Sequence, residues 1–95
     1  LKRNFTIYDD SDSRTLVNSI VKEMQLDDKT YKAANVLSRI GMAKNNLITP
    51  ESYSVDTSLL ERDHRSNMPK IAEIYRMYVL RCKSANAVDF DDMLM

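Results

Sequence analysis

The chain has 95 residues, 43% of them hydrophobic and 29% charged, with 14 basic and 14 acidic side chains and no formal net charge. That length holds one domain at most, no apolar run approaches the roughly 18 residues of a membrane span, and none resembles a secretory signal peptide. One glycine and two prolines exclude a turn-rich all-β fold and point to a few long helices, while the single cysteine, Cys82, excludes an internal disulfide and suits a reducing cytoplasm.

Phe5-Thr6-Ile7-Tyr8 alternates like a short strand or an extended lead-in. Asp9, Asp10, Ser11 and Asp12 then supply cap residues and acids for a first helical turn. Leu16, Val17, Ile20, Val21 and Met24 follow at helical spacing, so a first helix is expected over about 11–24, ended by Leu26-Asp27-Asp28. A second helix is expected to start near Lys29 or Tyr31 and to run to about Asn45. Ala33, Val36, Leu37, Ile40 and Leu47 share one arc of it at 100° per residue. Lys44 projects into that arc. Either the helix ends near Gly41, or Lys44 lies along apolar surface and finds a partner at its tip.

Thr49-Pro50-Glu51 combines a cap, a first-turn proline and an acid, the signature of a helix start. Residues 52–67 have weak periodicity and read as a short helix followed by an exposed loop. Asn67-Met68-Pro69 opens the strongest helix, with Ile71, Ile74, Tyr75, Tyr78, Cys82 and Ala85 in one stripe. Asp89 then reads as the N-cap of another helix, with Asp92 at its third position. The apolar end of Asp92-Met93-Leu94-Met95 is expected to continue into a packed helix, so the chain reads as a piece of a longer protein. There is no internal repeat.

The chemistry open to these residues is narrow. A phosphate-binding loop needs two glycines and a Gly-Lys-Ser/Thr ending, and Gly41 is the only glycine. One Cys and one His, Cys82 and His64, exclude a Cys/His metal site. A Ser-His-Asp triad lacks a strained nucleophile turn, and His64 lies in the polar run Glu61-Arg62-Asp63-His64-Arg65, which reads as surface. Asp89, Asp91 and Asp92 have the composition of a Mg²⁺ site, but a cap with acids complementing a helix dipole accounts for them more simply. Cys82, Tyr75 and Tyr78 read as core.

Charge is unevenly spread. Residues 29–50 contain no acid, while Lys29, Lys32, Arg39 and Lys44 give them +4. A second basic run, Lys70, Arg76, Arg81 and Lys83, faces only Glu73. Lys32 and Arg39 are seven apart and share a helix face. Such a face takes phosphates or is merely solvated.

Four patterns together resemble a known family: Phe5-Thr6-Ile7-Tyr8-Asp9, Lys44-Asn45-Asn46-Leu47-Ile48-Thr49-Pro50, Tyr75-Arg76-Met77-Tyr78, and Asn86-Ala87-Val88-Asp89-Phe90-Asp91-Asp92-Met93-Leu94. Their order and spacing resemble the UvrD/Rep/PcrA-type superfamily 1 DNA helicases over essentially the whole chain. The last pattern is the most specific, although Met93 stands where the family usually has Leu, a swap that conserves volume. The resemblance implies helical subdomain 1B over residues 1–88, inserted in a RecA-like motor domain, with 89–95 returning into that domain. Lys44, Asn45, Asp89, Phe90, Asp91 and Asp92 are then family-motif residues with structural roles.

The expected fold is all-α, a small bundle of about four helices. The expected function is contact with single-strand/duplex junction DNA in an ATP-dependent 3′–5′ helicase, in repair or replication. ATP and Mg²⁺ serve the parent protein, whose remaining motor domains are partners, and no membrane is involved. This segment alone is expected not to hydrolyse ATP, to hold no cofactor and to contain no catalytic or metal-binding residue. The family's duplex-contacting lysine region maps onto Lys29 and Lys32, with Arg39 and Lys44 as further phosphate contacts. Two alternatives are a helical protein-interaction module and the same subdomain of a related helicase–nuclease subunit.

Overall fold

The computed structural model describes residues 6–85 and 87–89. Five helices lie between two short strands: β1 (Thr6–Tyr8), α1 (Asp10–Glu23), α2 (Ala33–Asn45), α3 (Pro50–Ser54), α4 (Thr57–Arg65), α5 (Ile71–Ser84) and β2 (Ala87–Asp89). The helical expectation holds, with one helix more than the four read from the sequence and with a parallel strand pair added. The exposed loop expected before Asn67 is α4. Its apolar periodicity is weak because it buries an acid, Asp63, rather than an aliphatic stripe.

Local chemistry sets each boundary. The Asp9 side chain accepts from the Asp12 N–H at 2.8 Å while the Asp12 carboxylate accepts from the Asp9 N–H at 3.3 Å, a reciprocal cap on α1. Thr49 and Asp56 cap α3 and α4 by accepting from the Ser52 and Leu59 N–H groups. Helix α2 begins at Ala33, later than periodicity suggests, because Asp27 holds the preceding turn. Its carboxylate accepts from the Lys29 N–H at 2.9 Å and from the Thr30 hydroxyl at 3.3 Å.

Helices α1, α2 and α4 end alike, each with a residue of positive φ: Gln25 (58°), Leu47 (58°) and Asn67 (61°). In each case the following N–H reaches back five residues, Leu26 to Val21, Ile48 to Ala43 and Met68 to Asp63, at 3.0, 2.8 and 2.8 Å. These are Schellman closures, usually built on glycine. The chain makes three of them without one, which is how it manages with Gly41 alone.

The core lies between α1, α2 and α5, with α3 packed on α5. Val17, Ile20 and Val21 of α1 meet Val36, Ile40 and Ala43 of α2 and Ile71, Ile74, Tyr75, Tyr78 and Cys82 of α5. Full burial of each larger side chain contributes about 1.5–3 kcal/mol. Ala85 falls off the expected stripe because α5 has ended, and it is the exposed C-cap. Polar ties pin the helices at fixed points. The Tyr78 hydroxyl donates to Ser13 Oγ at 3.0 Å inside the core, and the Tyr75 hydroxyl donates to the Ile48 carbonyl at 2.7 Å. The Lys70 N–H at the head of α5 donates to the Tyr31 hydroxyl at 3.1 Å.

Strands β1 and β2 pair in parallel with Thr6 opposite Ala87, Ile7 opposite Val88 and Tyr8 opposite Asp89. The chain therefore leaves on β1, builds the whole bundle and returns beside its point of departure. Asp89 lies at the end of β2, and the helix it was expected to cap lies outside the described residues, as do Phe90, Asp91 and Asp92.

Candidate nucleic-acid interface

The four cations expected to meet phosphates occupy different environments. Arg39 is committed to the interior. Its Nη1 pairs with Asp63 Oδ1, its Nη2 donates to Ser66 Oγ at 2.9 Å, and its side chain is only 18% exposed. Asp63 is completely buried, and its other oxygen accepts from the Tyr53 hydroxyl. The three side chains come from α2, α4 and α3, so this centre locks those helices together. Burial, and then the hydrogen bond to Asp63, pushes the Tyr53 hydroxyl up to about 12. The Arg39 guanidinium thus neutralises a buried carboxylate.

Lys44 follows the second of its two expected courses. Helix α2 continues past it to Asn45, and its Nζ lies 5.3 Å from the centroid of the Tyr78 ring. A cation at that distance over an aromatic face is attracted by the ring quadrupole. Lys44 thus packs against the core side of α5.

Lys29 and Lys32 remain at the surface. Lys29 lies in the α1–α2 turn and Lys32 is the N-cap residue of α2; both are exposed. No side chain caps α2, and its first turn carries no acid. The N–H groups at this end and the adjacent lysines therefore add positive potential at one place. Beside them runs an open groove of about 930 Å³ whose lining includes Arg14, Asn18 and Lys22 of α1 and Lys32, Ala33 and Ala34 at the head of α2. Asp27 and Asp28 line its end at the turn. The sequence reading overlooked Arg14 and Lys22. The signal present was a polar i, i+4, i+8 row behind Val17 and Val21, a pattern that any solvated helix face shares.

Among the described residues no group of three or more His, Cys, Asp or Glu side chains could hold a metal ion, and no helix is long and apolar enough to cross a membrane. His64 is exposed.

The sequence profile of the UvrD/REP helicase N-terminal domain matches residues 1–95. The chain belongs to this family. It is 34% identical over 97 residues to the ATP-dependent DNA helicase PcrA of Leuconostoc citreum, and that match takes in the whole chain and 12% of the relative. It is 40% identical over 98 residues to the ATP-dependent DNA helicase UvrD1 of Mycobacterium leprae, covering 99% of the chain and 12% of that protein. A PcrA of Staphylococcus epidermidis is 32% identical over 95 residues, with the same 12% coverage of the relative. The chain thus spans about one eighth of the length of these curated relatives. No solved structure matches it. Within this UvrD/REP domain segment, Lys44 and Asn45 form the last turn of α2, and Asp89 ends the returning strand.

Proposed function

We propose that this segment is the DNA-contacting helical subdomain of an ATP-dependent 3′–5′ DNA helicase. It meets the single-strand/duplex junction through backbone phosphates and takes no part in nucleotide chemistry. The observation that carries the reading is the exposed lysine pair, Lys29 and Lys32, at the uncapped head of α2 in a chain of this family. Lysines at such a place attract phosphate without reading bases, so the contact is insensitive to sequence and sensitive to salt. Arg39 and Lys44 support the fold that presents them.

The parallel β1–β2 pair supports placing the bundle as an insertion in a RecA-like motor domain. Parallel strands are stable when further strands flank them and both faces are covered. A bundle that starts and ends on adjacent parallel strands is suited to extend from one edge of a larger sheet. ATP and Mg²⁺ then belong to the motor domains of the whole protein, since a segment with a single glycine holds no phosphate loop. The setting is the cytoplasm, in repair or replication.

The test is Lys29→Gln/Lys32→Gln in the full-length protein, with junction-DNA binding measured across a salt series. Two lost phosphate contacts lower the slope of log K against log salt by about 1.8, at about 0.9 per contact. An unchanged slope and affinity refute the contact role.

A further inference from the structure

We infer that the groove between α1 and α2 seats a stretch of DNA backbone, with Arg14 and Lys22 of α1 as its second wall opposite Lys32. The inference rests on the phosphate-contact reading of Lys29 and Lys32 and adds residues that sequence reasoning did not assign.

The geometry is that of a track. Arg14, Asn18 and Lys22 are spaced four apart on α1, so they stand in one row along the groove, and all three line it. Eight residues of helix advance about 12 Å, which matches three to four nucleotides of a duplex strand at about 3.4 Å each. The row offers a guanidinium, an amide and an ammonium, all hydrogen-bond donors. Arg14 is available to a phosphate. Its one described ion pair, with Asp10 at 3.1 Å, is an exposed i, i+4 pair, with side chains 54% and 77% exposed. Such pairs are readily exchanged.

The acids reduce the charge of the track without reversing it, since Arg14, Lys22 and Lys32 stand against Asp27 and Asp28, a net +1. Both Asp27 oxygens already accept from the turn, one from the Lys29 N–H and one from the Thr30 hydroxyl. Asp28 is left at the turn end, where it limits how far a phosphate chain advances past Lys22. The donors stand on the two walls, which suits the sides of a backbone and leaves base edges unread.

The experiment compares two paired variants of the full-length protein, Arg14→Gln/Lys22→Gln and Lys29→Gln/Lys32→Gln. Binding of a fluorescent junction DNA is followed from low to high salt. Each pair is expected to weaken binding at low salt and to lower the salt slope by about 1.8, at about 0.9 per phosphate contact. The charge-conserving pair Arg14→Lys/Lys22→Arg is expected to restore both, and thermal unfolding is expected to be unchanged in all three. If only the Lys29/Lys32 pair loses slope, the second wall is overturned and the proposed function stands. If only the Arg14/Lys22 pair loses slope, the two-walled groove is overturned. If neither pair changes, both the groove and the reading on which it rests are overturned.

Discussion

Replacing Asp63 by Ala removes a buried carboxylate shared by Arg39 of α2 and Tyr53 of α3. Asp63 has no exposed surface, Arg39 is 18% exposed and Tyr53 is 1% exposed. The variant leaves a mostly buried guanidinium without its counter-charge and a buried hydroxyl without its acceptor. Breaking a buried pair from one side costs about 3–5 kcal/mol, and an orphaned donor accounts for about 1–3 kcal/mol of such a loss. A domain of this size has a total stability of about 5–14 kcal/mol at 0.05–0.15 kcal/mol per residue. Asp63→Ala is therefore expected to remove about a fifth of it or more. Urea unfolding followed by circular dichroism reads this as a lower midpoint with an unchanged slope. The paired variant Arg39→Met/Asp63→Leu replaces charge by apolar volume and is expected to cost far less than the two single changes summed, a coupling of at least about 2 kcal/mol. A loss below about 1 kcal/mol for Asp63→Ala, or additivity of the pair, would falsify the assignment of this centre as the lock between α2, α3 and α4.

Two further outcomes follow from the structure. The Tyr53 hydroxyl is raised to about 12 in the folded chain against an ordinary value of 10.0. The folded state therefore binds the extra proton between those values, and stability is complete below pH 10 and lost as pH climbs towards 12. The loss is up to about 2.7 kcal/mol at 1.36 kcal/mol per unit. Urea midpoints at pH 8 and pH 11 should diverge in the parent and draw together in Tyr53→Phe; equal divergence in both would assign the effect to other groups. Leu47 has φ 58° and is 79% exposed. Leu47→Gly is thus expected to stabilise by about 0.5–1 kcal/mol and Leu47→Ile to destabilise, since a left-handed backbone strains β-branched residues most; thermal midpoints moving in the same direction would reject the Schellman reading.

Much of this bundle is legible in the sequence because its long helices obey a single period. Val17, Ile20 and Val21, or Ile71, Ile74, Tyr75, Tyr78 and Cys82, announce both the helix and the face it buries. The short helices α3 and α4 are harder. Thr49-Pro50 marks the start of α3 through its cap chemistry, but α4 is held by Asp63, and a buried acid inside Glu61-Arg62-Asp63-His64-Arg65 looks like solvated surface. Its burial depends on Arg39 and Tyr53, 24 and 10 residues away, so no local pattern carries it. The same long-range pairing ties the Arg39 guanidinium to Asp63. The start of α2 is not legible from hydrophobic periodicity, because Asp27 holds a turn that periodicity does not register. Lys29 and Lys32 were legible as cations. That Lys32 borders a groove with Arg14 and Lys22 follows only from the packing of α2 on α1.

The role of the segment as a whole is tested most directly by removing it. In the full-length protein, residues 10–85 are replaced by a glycine-rich linker of about a dozen residues, long enough to cross back from the end of β1 to the start of its parallel neighbour β2. Junction-DNA affinity is then measured against single-strand affinity. The expected result is a marked loss of junction binding and unwinding, with single-strand-stimulated ATP hydrolysis retained. Equal junction binding by the deleted and intact proteins would contradict the account.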